Sequence, residues 1–150
     1  MNEVTLEIKP NKIRLNKLIR QLTKKSFIEI GIFDSDRNAT IGFKHESGIR
    51  VPRRSFILLP LLFKKDFILS FYATTEEHFK TIIDKGLDFW INLVLLSCTK
   101  IISKAFSTGG FGNWKPLSLS TIKRKKTTII LVDTGEMFRA ITGKIIKKSN

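Results

Sequence analysis

The sequence predicts an α+β domain, a small antiparallel sheet packed against one long helix and several shorter ones. Three observations carry this. Val4-Leu6-Ile8 and Ile28-Ile30-Ile32 alternate with polar residues at a period of two, the mark of half-buried strands. A long stretch after Thr74 keeps apolar residues at spacings of one, three and four, as one face of a helix requires. The two patterns intermix without regular strand–helix–strand alternation, which argues against a parallel sheet. With 150 residues, the chain can bury one core and hardly two, so a single domain over 1–150 is expected.

Taken in order, Val4 to Ile8 form a first strand, and Pro10-Asn11 end it and open a helix carrying Leu15, Leu18, Ile19 and Leu22. Ile28 to Ile32 form the next strand. The turn formers Asp34 to Asn38 and renewed alternation at Ala39, Ile41 and Phe43 predict a β-hairpin. A basic loop shaped by Gly48 and Pro52 follows over His45 to Ser55. From Ile57 the pattern is helical, with Phe63, Phe67 and Phe71 spaced by four. A break is expected near Ala73. Thr74-Thr75-Glu76-Glu77 then cap a long helix to about Phe106, with Phe79, Ile82, Ile83, Leu87, Trp90, Val94, Cys98 and Ile101 on its core face. Thr108 to Asn113 is a glycine-rich, flexible connection. Ser118 to Lys126 can form a short basic helix. Asp133 and Thr134 are structural caps of a last helix through Ala140, with Gly135 giving the backbone room to enter it. Ile141 to Lys147 makes a closing strand.

Composition narrows the chemistry. Lys and Arg number 27 against 13 Asp and Glu, a net charge of +14, which suggests an acidic partner or a lysine-rich bias without a ligand. The single cysteine, Cys98, lies in an apolar run, which excludes an internal disulfide and suits a small core residue in a reducing cytoplasm. No apolar h-region opens the sequence, so no signal peptide is expected. The run from Phe89 to Cys98 is about half a membrane span. Asp133-Thr134-Gly135 after Ile-Ile-Leu-Val resembles the aspartic protease turn, but only fifteen residues follow Gly135, where most of that fold would have to lie. His45-Glu46 lacks the second histidine of a zinc helix. Gly109-Gly110-Phe111-Gly112 lacks the Lys-Ser/Thr of a phosphate loop. The basic clusters Lys24-Lys25, Arg50 with Arg53-Arg54, Lys123 to Lys126 and Lys147-Lys148 are scattered, with no helix-turn-helix or zinc finger. No catalysis, cofactor or metal is expected.

Three stretches carry a resemblance. They are Ile30-Gly31-Ile32 with Ala39-Thr40-Ile41 and His45-Glu46-Ser47-Gly48; Pro52-x-Arg54-x-Phe56-x-x-x-Pro60; and Trp114-Lys115-Pro116-Leu117-Ser118 running through Thr121-Ile122-x-x-Lys125 to Leu131-Val132-Asp133-Thr134-Gly135-x-Met137-x-x-Ala140-Ile141. In this order, with a long helix between the second and third, they resemble the neck and tail-completion proteins of HK97-type bacteriophages and the related virion morphogenesis proteins of Mu-like phages. The likeness spans about Ile28 to Ile146. Arg53 and Ser55 stand where that family tends to carry small residues or proline, and Met137 and Ala140 replace Leu and Ser.

The resemblance implies a structural virion protein without catalysis, a tail-completion or tail-terminator ring serving as head–tail connector. The ring would be six-fold, or twelve-fold as the alternative. Its partners would be copies of itself, the connector and tail-tube proteins, and the genomic DNA passing through the channel, with no membrane. It would be assembled in the host cytoplasm and reside in the neck or tail of the virion. Arg50, Arg53, Arg54, Phe56 and Trp114 are the candidate interface residues. Arg54 offers a planar fork for a carboxylate or carbonyl, Pro52 and Pro60 restrict the backbone around Phe56, and Trp114 can anchor the glycine loop. These contacts either reach a neighbour or stay within one subunit. The rival reading, from charge alone, is a basic nucleic-acid-binding protein.

Overall fold

The structure is a computed structural model, and its described residues are 16, 20, 26–34, 36–70, 75–125 and 127–147. The expected first strand, most of the first helix and the break near Ala73 fall outside them. The described elements run β1 (Ser26–Ile32), α1 (Asp36–Ser47), α2 (Leu58–Phe63), α3 (Lys65–Ser70), α4 (Glu76–Lys85), α5 (Leu87–Ser107), α6 (Leu119–Arg124), α7 (Glu136–Arg139) and β2 (Ile141–Lys147). This is an α+β arrangement with an antiparallel pair of strands and one long helix, as the patterns predict.

The sheet differs from the expected hairpin. β1 pairs with the closing strand β2, in a register from Ser26↔Lys147 to Ile32↔Ile141. Ala39, Ile41 and Phe43 belong instead to helix α1. Their alternation is no sign of a buried strand face, since Ile41 and Phe43 are both exposed. The helix has the charges its ends favour, Asp36 in the first turn and Lys44 and His45 in the last. It meets the sheet and the core through its smallest residue. A Cβ on Gly42 would lie 2.7 Å from Ile32 Cδ1 and 3.3 Å from Phe56 Cζ.

The expected single long helix is two. Thr75 Oγ1 accepts the His78 N–H at 3.3 Å and Glu76-Glu77 fill the first turn, so α4 begins at the cap the sequence indicates. At Gly86 the chain takes φ 90°, ψ 161°, open to glycine and strained for other residues, and the helix direction is reset. α5 then runs 21 residues and buries Trp90, Val94, Cys98, Ile101, Ile102, Ala105 and Phe106. By length and composition α5 could cross a membrane, more than the ten-residue run suggested, but here it is the helix around which the core is built.

Phe56, Ile102, Ala105, Phe106, Trp114 and Met137 form that core. Phe106 is its hub, with ring centroids 5.5 Å from Phe56, 5.6 Å from Trp114 and 4.9 Å from Phe138, all tilted or edge-on. Each such ring taken from water contributes about 1.5–3 kcal/mol.

The glycine segment after α5 is not the flexible connection expected. Gly110 N–H donates to Ala105 O at 2.7 Å, Gly112 N–H to Thr108 O at 2.9 Å and Trp114 N–H to Gly109 O at 2.9 Å. Thr108 Oγ1 accepts from Phe111 N–H at 3.0 Å. Gly110 has φ 68° and lies under the Trp114 indole, with which any Cβ would collide. The glycines serve a tight reversal that lays Trp114 back on the helix it has just left.

Candidate functional site

The residues that carry the resemblance meet in one place. α1 ends with His45 and Glu46, the chain turns at Gly48, and the segment 53–56 comes back beside them. Arg54 N–H donates to His45 O at 2.8 Å and Arg53 Nε to Glu46 O at 3.2 Å. The Glu46 carboxylate then binds the start of α2. It accepts the Ser55 hydroxyl at 2.5 Å and the backbone N–H groups of Phe56, Ile57 and Leu58 at 2.8, 3.1 and 2.9 Å. α2 opens at Ile57 with no side-chain cap of its own, so a carboxylate from another helix supplies the negative group its N-terminus favours. Ser55, a departure from the family pattern, also accepts the Leu59 N–H through its hydroxyl at 2.9 Å.

The third stretch closes this knot. Trp114 Nε1 donates to Ser55 O at 3.1 Å. Arg54 donates through Nε and Nη2 to Lys115 O at 3.2 and 3.0 Å, with Pro116 O at 3.5 Å from Nη2. Arg54 is only 7% exposed and Phe56 only 1%. Of the candidate interface residues, therefore, Arg54, Phe56 and Trp114 turn inward and bind their own chain. Arg50 and Arg53 remain exposed, Arg50 with a strained φ of 60°. The Arg54 fork does find carbonyls, but they belong to its own subunit.

Of the expected caps at the last helix, Thr134 and Gly135 take part in its start and Asp133 does not. Gly135 occupies the N-cap position with φ 80°, and no side chain caps α7 there. Thr134 Oγ1 accepts the Glu136 N–H at 3.3 Å, whereas Asp133 is exposed and holds no amide of the helix. The physical reason is spacing. α7 starts at Glu136, so the Asp133 carboxylate lies two residues before the N-cap position.

Beside the knot is a cleft of about 790 Å³. Its walls are α1, the 51–54 segment, the 115–118 segment, α6 and the 131–137 turn. Arg37, His45, Arg54, Lys115, Arg124 and Lys125 line it against two acids, Asp133 and Glu136. The clustering shifts the ionisation of these groups. Burial holds the Lys125 ammonium below its ordinary pKa, Arg54 and Arg124 push the same way, and Asp133 opposes them. Burial lowers the His45 imidazole, Arg54 and Lys125 lower it further, and the Pro52 carbonyl pulls back. Burial alone lowers the Arg54 guanidinium, with no carboxylate counteracting it. His45 Nδ1 is a buried nitrogen without a hydrogen-bond partner.

Among the described residues, no group of three His, Cys, Asp or Glu side chains converges in a way that could hold a metal. Glu46 is the functional residue that sequence reasoning missed. The signal was available as a helix start at Ile57 with no capping residue before it and an unassigned acid shortly upstream. The cleft was hidden because its basic residues come from four separate stretches. No family model, curated protein or solved structure matches the chain, so the likeness to phage neck proteins rests on its residues.

Proposed function

We propose that this chain is a structural subunit of the neck or tail end of a tailed bacteriophage, one copy in a ring that joins the tail to the capsid connector, and not an enzyme. One observation carries the reading beyond the resemblance. Within residues 58–69, α2 and α3 leave Leu58, Leu62, Phe63, Phe67 and Leu69 exposed, each at 50% or more. Large apolar side chains grouped this densely on a surface mark a protein–protein contact. A chain with a net charge of +14 repels its own copies, so association needs an apolar contact of this kind to offset the repulsion. The knot supports the same reading, since it fixes the start of α2 through Glu46 and so holds the apolar pair of helices in one orientation.

The test is the mass and shape of the purified protein. Wild type should form closed rings visible by electron microscopy, and Phe63→Glu with Phe67→Glu should be monomeric with an unchanged circular dichroism spectrum. If wild type stays monomeric and binds duplex DNA with an affinity that falls steeply with salt, the rival nucleic-acid-binding reading takes its place.

A further inference from the structure

We propose that the cleft between α1 and α6 is a docking groove for an acidic peptide segment of a partner protein, with a carboxylate seated against Arg54, Arg124 and Lys125. The inference goes beyond the ring reading and stands whether or not the chain forms rings.

The first argument is an uncompensated buried charge. Arg54 is almost fully buried, and its guanidinium donates to two backbone carbonyls, those of Lys115 and Pro116. Carbonyls satisfy N–H groups but do not neutralise a cation, and a buried charge is costly unless it is paired. Among the described residues Arg54 forms no ion pair. The carbonyls engage Nε and Nη2, and Nη1 is not among those bonds. Lys125 and Arg124 raise the local positive charge, and Asp133 is the acid that opposes it at Lys125. An incoming carboxylate supplies the missing partner in a bidentate or charge-assisted geometry.

The second argument separates peptide from nucleic acid. Ile41, Val51, Pro52, Leu117, Leu131 and Met137 share the lining with the cations. Apolar walls give nothing to a phosphate backbone but pack well against the side chains flanking a carboxylate. A concave cleft of about 790 Å³ is the size of a few peptide residues and cannot admit a duplex. Leu131, on the wall, is held at φ 62°, a conformation rarely adopted by a leucine and one that tends to be retained at ligand clamps.

The chain has two histidines, His45 in the cleft and His78 on α4, so their imidazole proton resonances form a site-specific reporter. The full-length protein is titrated with a short end-capped peptide of alternating Glu and Leu. Parallel titrations use the Gln-for-Glu peptide, oligothymidylate and inorganic phosphate. The Glu peptide should shift the His45 resonance saturably and leave His78 in place, and the Gln peptide should move neither resonance. Arg124→Glu and Arg37→Glu, both exposed, should keep the wild-type circular dichroism spectrum and weaken the titration about tenfold each. A His45 resonance that does not move with the Glu peptide overturns the proposal. So does an equal response to oligothymidylate or phosphate, which would make the cleft a phosphate or general anion site. Sedimentation of the same samples keeps the readings apart. Rings that ignore the peptide sink only the groove, and monomers that bind it sink only the ring.

Discussion

Glu46 is the residue on which most of the described architecture converges. One carboxylate holds three backbone amides and a hydroxyl at the start of α2. Glu46→Ala should therefore cost about 3 kcal/mol, since each amide left partly buried without an acceptor costs about 1–3 kcal/mol and water can recover some of them. Urea unfolding with an unchanged slope would check this. Arg54→Lys should cost about 1–2 kcal/mol, because an ammonium cannot span the Lys115 and Pro116 carbonyls as the guanidinium does. At the last helix Thr134, and not Asp133, accepts an amide of the helix. Asp133→Asn and Asp133→Ala should both stay within about 0.5 kcal/mol of wild type, while Thr134→Ala, which removes the acceptor of the Glu136 N–H, should cost about 0.5–1 kcal/mol. The sequence marked Arg54, Phe56 and Trp114 as residues that matter. It could not say whether their partners lay inside or outside the chain, because a fork that fits a carbonyl fits any carbonyl. The answer depends on tertiary folding that brings Arg54 to Lys115 and Ser55 to Trp114 across about sixty positions.

At the scale of elements, periodicity served well where burial is one-sided and failed where it is not. β2 and α5 have clear apolar faces, so the place of β2 and the C-terminal end of α5 could be read directly, while the break at Gly86 where α5 begins could not. The segment with Ala39, Ile41 and Phe43 misled because α1 buries a glycine and leaves its large residues outside, so its alternation is unrelated to its backbone. The strand partner of β1 was equally hidden. Pairing with a neighbour or with the far end of the chain leaves the same local pattern. Two substitutions test the element packing. Trp90, buried on α5 with its ring centroid 4.7 Å from that of His78, should cost about 3–5 kcal/mol when changed to Ala. A variant that melts like the parent would mean that the buried face of α5 is misassigned. Gly110→Ala should be as damaging as a core truncation, since it combines a positive φ with a collision against the Trp114 indole. Loss of the near-ultraviolet tryptophan signal should accompany the loss of stability.

Over the whole molecule the governing quantity is charge. His45 titrates in a positive cleft, with Arg54 and Lys125 facing it, and its folded pKa lies below the ordinary 6.5. The unfolded chain therefore takes up this proton first as pH falls. The contribution vanishes above 6.5, where both states are neutral, and stability declines as pH drops through that value. The urea midpoint of wild type should fall between neutral pH and pH about 5, and His45→Gln should flatten that slope.

The same excess of positive charge gives the most direct test of the assembly itself. Copies carrying +14 repel one another, and salt screens the repulsion within about 10 Å at 0.1 M ionic strength. An apolar contact through α2 and α3 is indifferent to that screening or strengthened by it. Sedimentation velocity across a salt series should therefore show the proposed ring persisting or growing in population as salt rises. Dissociation of the assembly into monomers with rising salt would contradict an apolar ring, since it would show that charge, and not the exposed faces of α2 and α3, holds the copies together.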